Sequence, residues 1–495
     1  MDQDLQALQQ VRDLVERAKK AQAILECYSQ DEVDRLVGRM AEYGFKASKE
    51  LAELACEETK YGSVASKVEK NMFATRNVYE SIKNLRTVGI VRVDQERQVY
   101  EIATPMGIVA AIIPVTNPTS TALFKILIAI KARCTIILSP HPKAVKCIQE
   151  CARIMMKAAE SVGAPEGLVG SLTIPTMNAT QELMRHRDIG IILATGGSGL
   201  VKAAYSSGKP AIGVGPGNVP VYVEKSADVN HAIRCLVSSK GFDWGTLCCS
   251  EQAVLLDKSI EADCMREFQK QKAHLCNERE TKALEALMPP GGALNPELVG
   301  QSPQAIAKMA SFTVPADCTL ILARQQGVGD AYPLSREKLA PILAIYTVDG
   351  WQVAMERALE ILKYGGMGHT FVMHSKNQEI VNTFAMKMPA SRILINTPAS
   401  QGAVGYSTGI MPSMTLGCGT MGGNITSDNI SSIHLINIKR VAIGNTSWFA
   451  DLPAPKLNLG LAVEESKPKY RSNLFDEMPG GKKRYFVGPY NDPNI

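Results

Sequence analysis

Two adjacent cysteines, Cys248 and Cys249, are the strongest candidates for covalent chemistry in the chain. They lie in FDWGTLCCSEQAVLL, after a Gly-Thr turn and before a run typical of a β-strand. At least one thiol is therefore expected near the end of an element, where reactive groups often lie. A thiolate at such a position could attack a carbonyl carbon. Two buried structural thiols are the alternative, because free cysteines are among the most buried residues and spacing alone shows nothing that favours a thiolate.

Three glycine clusters could let a ligand approach the backbone closely. ATGGSGLVKAA places its glycines between a predicted strand and a predicted helix, where free N–H groups favour a phosphate. PAIGVGPGN is a second cluster, and a plain tight turn remains the alternative for both. LGCGTMGG has the spacing of a dinucleotide fingerprint at Gly417, Gly419 and Gly422, but no helical pattern follows it, so its context excludes that function.

His369, in GGMGHTFV, is one of seven histidines, and its usual pKa range would suit proton transfer. A structural histidine beside a strand is the more common case. Cys147 and Cys151 are four residues apart and could share a helix face, but no His or Cys pair lies nearby to complete a metal site. The spacing therefore predicts no metal centre.

The pattern of apolar residues predicts how these groups are positioned. Residues 5–84 have helical periodicity, and VGIVRVDQERQVYEIATP indicates a β-hairpin. Strand and helix patterns then alternate, first in GIVAAIIP, TSTALFKILIAIKAR, CTIILSP and IGIILAT, and again over residues 228–416. Such alternation predicts an α/β fold with a doubly wound, mostly parallel sheet that binds ligands at the carboxyl ends of its strands.

Composition narrows the classes of function. The net charge of +5 is small and not concentrated on one segment, which argues against a nucleic-acid binder. The acidic start MDQDLQ lacks the apolar core of a secretory signal, and no apolar run approaches the length of a membrane span. Twelve cysteines without regular spacing fit a reducing compartment, so we predict the cytoplasm, either free or within a bacterial microcompartment.

Taken in chain order, seven segments resemble the aldehyde dehydrogenase superfamily, and within it the CoA-acylating branch that includes the N-terminal half of bifunctional aldehyde–alcohol dehydrogenases. The resemblance covers roughly Leu5 to Gly444. The segments are IIPVTNPTSTALFK, IILSPHPKA, IILATGGSGLVKAAYSSGKPAIGVGPGN, GTLCCSEQ, EKLAPILAIY, GGMGHT and RILINTPASQG.

The resemblance implies an aldehyde dehydrogenase-like organisation, in which a Rossmann-type domain for NAD or NADP accompanies an α/β catalytic domain and a small β element for oligomerisation. On this basis the chain divides into a helical N-terminal part of the cofactor domain at 1–88, the hairpin at 89–104, the Rossmann-type domain at 105–227, the catalytic domain at 228–425, a return strand at 426–450 and a tail at 451–495. A homo-oligomer, dimer or larger, is expected from the same resemblance.

Site residues follow from the matched segments. Cys248 takes the position of the family's nucleophile, Asn117 that of the amide that stabilises the oxyanion, and His369 that of a histidine retained near the active site. Cys249 falls where a small residue is common and is the bystander. The positions expected to contact the dinucleotide are Thr116, Ser139, Pro140, His141, Thr195, Gly196, Gly197, Ser198, Gly215 and Glu337.

The choice between NAD and NADP stays open, with NAD as the default. Pro142 stands where hydrolytic relatives have a ribose-binding glutamate. Lys143 and Lys146 could meet a 2′-phosphate or could simply be solvated.

Gly213 stands where the hydrolytic branch has the glutamate that activates water. Water has a pKa of about 15.7 and a thiol about 8.5, a difference of roughly 10 kcal/mol in deprotonation free energy. Loss of the base should therefore block hydrolysis but leave attack by a thiol possible. The sequence thus predicts a reversible CoA-acylating aldehyde dehydrogenase, in which an aldehyde forms a thiohemiacetal and then a thioester on Cys248.

The aldehyde is less well defined. A short aliphatic aldehyde such as acetaldehyde is the general expectation. Tyr406, Ser407 and Thr408 could instead bind a polar tail such as that of sulfoacetaldehyde, or could form a solvated loop. Two other classes stay open, a reductase of acyl phosphates and a dinucleotide-binding partner protein without activity.

Overall fold

The computed structural model describes residues 2–289, 291, 294–444, 446, 448 and 451–453. The tail predicted at 451–495 lies almost wholly outside the described residues. Among the described residues, no helix is long and apolar enough to cross a membrane.

The N-terminal region is helical, as its periodicity predicts. Ser29 begins the second helix with a capping box to Glu32, and that helix buries apolar residues three and four positions apart. A single π-helical turn, Phe73–Asn77, joins the last two helices. The helices are α1 (Gln3–Leu25), α2 (Gln30–Lys46), α3 (Ser48–Thr59), α4 (Val64–Met72) and α5 (Val78–Ile82).

A five-stranded parallel sheet follows, with the strand order β5-β4-β3-β6-β7. Every residue of β3 is buried, because helices cover both faces of the sheet and leave the strand no solvated side. The order reverses between β3 and β6, which confirms the doubly wound topology. The elements are β3 (Ile108–Ile113), α6 (Pro118–Lys131), β4 (Ile136–Pro140), α7 (Val145–Glu160), β5 (Val169–Ser171), α8 (Met177–Arg185), β6 (Ile189–Thr195), α9 (Ser198–Tyr205) and β7 (Ala211–Val214).

A seven-stranded parallel sheet forms the second α/β layer, with the order β10-β11-β12-β9-β8-β13-β14. Its elements are β8 (Val219–Val223), α10 (Val229–Gly241), β9 (Glu251–Asp257), α11 (Glu261–Lys270), β10 (His274–Leu275), α12 (Glu278–Ala286), α13 (Pro303–Met309), β11 (Ile321–Arg324), β12 (Ile342–Val348), α14 (Trp351–Tyr364), β13 (Gly368–His374), α15 (Gln378–Lys387), β14 (Ala390–Ile395) and α16 (Ala399–Ala403).

The change from one sheet to the other comes earlier than the predicted boundary at 227. β8 pairs with β9 and β13, so it belongs to the second sheet, and the crossing lies between β7 and β8. Both strands are short, fully buried apolar runs, and such runs do not reveal which sheet they join.

A small antiparallel sheet contains β1 (Gly89–Asp94), β2 (Val99–Pro105) and β15 (Ile436–Ala442). β2 is its central strand, and Ala103 lies opposite Ile438 of β15. The early hairpin and the late strand are thus paired within one chain.

Candidate active site

The loop that carries the two cysteines is fixed by an unusual backbone. Asp243, Trp244 and Gly245 have positive φ angles of 49°, 52° and 73° in succession. A Cβ on Gly245 would lie 2.8 Å from backbone atoms of Ala340, so glycine is needed there for both conformation and space. The loop then delivers Cys248 just before β9 begins at Glu251.

The two thiols have different surroundings. Cys249 is fully buried, and its thiol donates to the carbonyl oxygen of Ser400 at 3.8 Å. Cys248 is partly exposed. Cys249 is therefore a core residue, and Cys248 stays the predicted nucleophile.

The protein around the Cys248 sulfur keeps the resting thiol protonated. Burial raises its pKa well above the usual range, neighbouring Cys249 and Glu337 raise it further, and Arg392 opposes them. Formation of the thiolate thus needs a change in these surroundings or a base.

Asn117 ends the turn before α6 and faces the cysteine loop. Its Nδ2 donates to the carbonyl oxygen of Thr246 at 3.3 Å and to Oγ1 of Thr116 at 3.1 Å. Its Oδ1 accepts a 2.6 Å hydrogen bond from Nζ of Lys70. Because Lys70 holds the oxygen, the NH₂ end is directed towards the loop, as an oxyanion donor requires.

A buried charge cluster behind Asn117 was not predicted from the sequence. Asp243 accepts from Lys70, from Lys67 at 3.0 Å and from Oγ1 of Thr246 at 2.6 Å. Burial lowers the pKa of Lys70 to about 8, and Asp243 opposes that shift. The only signal in the sequence is the three-residue spacing of Lys67 and Lys70 on one face of α4, and a solvated face would look the same.

Three of the predicted site residues meet around Gly217. A Cβ on Gly217 would lie 2.5 Å from the carbonyl oxygen of Cys248 and 3.0 Å from Cδ2 of His369. The backbone N–H of Gly217 donates to Oε1 of Glu337 at 3.1 Å. Cys248, His369 and Glu337 come from separate segments of the chain, and the loop before β8 brings them together.

His369 is buried and neutral. Burial lowers its pKa to about 3, and the nearby Arg392 contributes to the shift. Its Nδ1 lies 3.0 Å from Oγ1 of Thr370, and its Nε2 has no hydrogen-bond partner among the described residues. A neutral ring with one free nitrogen can accept a hydrogen bond from a group that enters the site.

Glu337 is a buried carboxylate that raises the pKa of the Cys248 thiol. Burial raises its pKa to about 7, while the N–H of Gly217 and the ammonium groups of Lys240 and Lys338 oppose the shift. At neutral pH its charge therefore responds readily to a bound ligand.

The position of the hydrolytic base is closed. A Cβ on Gly213 would lie 2.7 Å from Cγ1 of Val201 and 3.0 Å from Cε2 of Tyr205. The Tyr205 hydroxyl also accepts from the N–H of Gly213 at 3.1 Å and donates to its carbonyl oxygen at 3.2 Å. A glutamate side chain has no room here unless α9 moves.

Two of the predicted dinucleotide positions, Gly197 and Gly215, have open space beside them. A Cβ added to Gly197 or Gly215 would meet no atom within 4 Å. Oγ1 of Thr195 is buried without a hydrogen-bond partner in the described part of the chain, and Ser198 begins α9. Gly196 differs, because a Cβ added there would lie 2.9 Å from Cδ2 of Leu200.

The predicted adenosine side is only partly open. Oγ of Ser139 pairs with Oγ1 of Thr180 at 2.9 Å, and Pro140 is buried with it in β4. His141 is exposed beyond the strand. Glu58 was missed by the sequence reasoning: its carboxylate accepts from the backbone N–H groups of residues 146 and 147 at 2.8 Å each, at the start of α7.

The predicted polar loop uses most of its own hydroxyls. Oγ of Ser407 pairs with Oγ1 of Thr397 at 2.6 Å, and Oγ1 of Thr408 donates to the carbonyl oxygen of Gly402 at 2.7 Å. Tyr406 is half-exposed, with its ring edge-on to Phe73.

Comparison with known proteins identifies the family of the chain. The aldehyde dehydrogenase family model matches residues 4–283. The chain belongs to the aldehyde dehydrogenase family.

Its similarities lie within the acylating branch. The crystal structure of an acetylating aldehyde dehydrogenase from Geobacillus thermoglucosidasius shares 51% identity over 90% of this chain and 99% of that chain, with a TM-score of 0.89. The bifunctional aldehyde-alcohol dehydrogenase AdhE of Escherichia coli K12 is 43% identical over 434 residues, which cover 87% of this chain and 49% of AdhE. The chain spans about half the length of such bifunctional relatives. A sulfoacetaldehyde dehydrogenase (acylating) from Bilophila wadsworthia is 35% identical over 448 residues, covering 88% of this chain and 96% of that protein.

Proposed function

We propose that this chain is a CoA-acylating aldehyde dehydrogenase, which converts a short aldehyde, CoA and NAD(P)⁺ to acyl-CoA, NAD(P)H and a proton. The observation that carries the proposal is the closed base position: Val201 and Tyr205 fill the space beside Gly213 while Cys248 remains accessible. An acyl group on Cys248 then has no carboxylate at that position to activate water, and a thiol acceptor is favoured.

The described residues suit each step of such a reaction. The Cys248 sulfur adds to the aldehyde carbon, and Nδ2 of Asn117 with the N–H of Cys248 stabilises the oxyanion. His369, whose Nε2 has no hydrogen-bond partner among the described residues, would accept a hydrogen bond from an entering group, and the thiol proton leaves to solvent. A bound nicotinamide would accept the hydride. The acyl group on Cys248 then passes to the sulfur of CoA, whose thiol proton goes to the released Cys248 thiolate. The near-equal energies of the two thioesters make the reaction reversible.

We place the dinucleotide beside α9 in this proposal. The space over Gly197 and Gly215, the unpartnered Oγ1 of Thr195 and the helix N-terminus would hold its phosphates, and Glu337 would face the nicotinamide ribose. Glu58 supports NAD over NADP, because its carboxylate at the start of α7 would repel a 2′-phosphate.

An acetaldehyde-like substrate is favoured. The hydroxyls of Ser407 and Thr408 form hydrogen bonds within the protein. Of the three predicted residues, Tyr406 alone is therefore left to contact a polar substrate tail. The sulfoacetaldehyde alternative is supported by the similarity to the sulfoacetaldehyde dehydrogenase of Bilophila wadsworthia. The hydrogen bonds of this loop support it less. A comparison of kcat/KM for acetaldehyde and sulfoacetaldehyde tests the choice, because a site built for polar contacts rejects a substrate that lacks them.

A single assay separates the proposal from its rivals. NADH formation should require an aldehyde and CoA together, and free CoA should not be replaceable by phosphate. Dependence on phosphate would support the acyl-phosphate reductase, and no turnover under any condition would support the partner-binding protein. Release of free carboxylic acid at the same rate without CoA would contradict the proposal.

We further propose that the chain forms a homo-oligomer through the sheet of β1, β2 and β15. β1 and β15 are its edge strands within the chain, and unpaired edges favour pairing with another copy. Light scattering during size-exclusion chromatography measures the state. Twelve unpaired cysteines support a reducing location such as the cytoplasm.

A further inference from the structure

A cluster of potential metal ligands lies at the far end of the seven-stranded sheet from Cys248. His231 and Cys235 are four residues apart on α10 and so share one helix face. His374 ends β13 and reaches the same point. One ligand atom from each residue lies within 4.8 Å of the others.

His374 lacks the hydrogen bonds that a buried imidazole normally makes. It is 1% exposed, and neither Nδ1 nor Nε2 has a partner among the described residues. An unsatisfied buried polar group is costly, and a bound ion is one of the few ways to explain it. The ring lies beside His231, with centroids 6.3 Å apart.

A second group of similar composition behaves differently. His274, Cys276 and Glu280 also lie within ligand distance of one another. However, Nε2 of His274 lies 3.0 Å from Oε2 of Glu280, and that carboxylate also accepts from the N–H of Asn277 at 3.0 Å in a helix-capping box. Those groups are satisfied by the protein itself.

The distances fit a thiophilic cation. Zn²⁺ bonds of about 2.0–2.1 Å to His and about 2.3 Å to Cys place a nitrogen and a sulfur about 3.5 Å apart in a tetrahedral site. Sγ of Cys235 lies 3.4 Å from Nε2 of His231. Two imidazoles and a thiolate favour zinc over magnesium or calcium. His231 is exposed, so solvent can reach the fourth position.

We propose that His231, Cys235 and His374 form a zinc site separate from the active site. On binding, the Cys235 S–H bond breaks, its proton leaves to solvent and the sulfur bonds to the metal, without any change in oxidation state. The imidazole of His231 exchanges its 2.9 Å contact with the carbonyl oxygen of Asn396 for the metal.

The site is remote from catalysis, because His369 and His374 stand at opposite ends of β13 and a strand rises about 3.3 Å per residue. The metal would tie the first two turns of α10 to the sheet. α10 ends at Gly241, directly before the loop that carries Cys248.

Zinc affinity of the whole chain tests the site directly. The parent is the tag-free, metal-stripped Cys248→Ala chain, because the catalytic thiol could otherwise compete for zinc. Titration with Zn²⁺ against a chromogenic chelator should give one tight site. His231→Ala, which alters an exposed side chain, and Cys235→Ala should each weaken affinity at least about tenfold, a loss that follows even from altering a group that only supports a ligand. His186→Ala and Cys27→Ala are matched controls and should bind as the parent does. Unchanged affinity in His231→Ala, or no tight site in the parent, would overturn the proposal.

Cobalt provides an independent measurement. Co²⁺ in the parent should show a thiolate-to-metal charge-transfer band that Cys235→Ala loses and Cys27→Ala keeps. Persistence of the band in Cys235→Ala would place the metal elsewhere. With Cys248 restored, metal-free His231→Ala should retain wild-type turnover, so failure of the zinc site is distinguishable from failure of the proposed activity.

Discussion

Nζ of Lys70 donates a 2.6 Å hydrogen bond to Oδ1 of Asn117, and the same ammonium group pairs with the buried carboxylate of Asp243. The cysteine loop and the proposed oxyanion donor thus share one buried cation. We propose Lys70 as a positioning residue, because it contacts Asn117.

Lys70→Met should lower kcat/KM by roughly 10- to 100-fold, less than the loss of about 100- to 1000-fold expected for Asn117→Ala, because the amide remains but is no longer oriented. The double variant should lose little more than Asn117→Ala alone, since both changes act through one group. Lys83→Met, at a surface ion pair with Glu80, is the control and should leave kcat/KM unchanged. Full additivity in the double variant would contradict a positioning role.

Cys248 and Cys249 should differ in their response to substitution and to alkylation. Cys248→Ala should abolish CoA-dependent NADH formation, while Cys249→Ala should retain most of it and lose about 1 kcal/mol of stability through a small core cavity. Mass spectrometry after treatment with iodoacetamide should find a label on Cys248 and none on Cys249. Full activity in Cys248→Ala would refute the assignment of the nucleophile.

Gly213→Glu should fail to produce a hydrolytic enzyme. The new side chain would collide with Val201 and Tyr205, and overpacking of this kind costs about 1–3 kcal/mol. The expected results are a lower Tm and no release of free acid without CoA. Gly208→Glu, at a position with no atom within 4 Å of an added Cβ but with a positive φ, controls for backbone strain and added charge. Efficient release of free acid without CoA by Gly213→Glu would contradict this prediction, because it would show that α9 can move to make room for the glutamate.

His369 should make stability depend on pH in a defined direction. Its pKa is about 3 in the folded chain and 6.5 when unperturbed, so the unfolded chain binds the extra proton between these values. Its contribution is therefore complete above pH 6.5 and is lost as pH falls towards 3. At pH 5.5 the loss amounts to about 1.4 kcal/mol relative to pH 7.5. Urea unfolding of wild type and His369→Asn at both pH values measures it: the stability difference between the two should change by that amount, and a constant difference would rule the effect out.

Glu58→Gln should shift cofactor preference towards NADP. Removing the charge at the start of α7 relieves repulsion of a 2′-phosphate, and the neutral amide can still accept from one of the two backbone N–H groups. KM for NADP should fall several-fold relative to KM for NAD. Glu160→Gln, at the other end of the same helix, is the control, and an unchanged KM ratio in Glu58→Gln would remove Glu58 from cofactor selection.

The strands and sheets could be predicted from the sequence more fully than the buried charged groups. The apolar runs of β3 and β6 specify buried parallel strands. The order of the motifs is the basis for predicting Cys248, Asn117, His369 and Glu337 as site residues. Short runs such as β8 carry no information about which sheet they join, so the boundary at 227 was misplaced.

Buried charges escaped prediction for a physical reason. Lys67, Lys70 and Asp243 are stable in the interior only because they pair with one another, and the pairing joins α4 to a loop far along the chain. The local sequence pattern predicts that each of these three side chains is exposed to solvent. His374 and Cys235 were missed in the same way, because no short spacing connects them.

The packing of α9 against Gly213 also bears on how this enzyme could change in evolution. Val201 and Tyr205 block the base position from the helix whose first residue, Ser198, borders the proposed phosphate groove. A drift towards hydrolysis would therefore have to rebuild the helix that borders the proposed coenzyme site before any carboxylate became useful. Under this proposal, one eight-residue helix constrains both the acyl acceptor and the binding of the coenzyme.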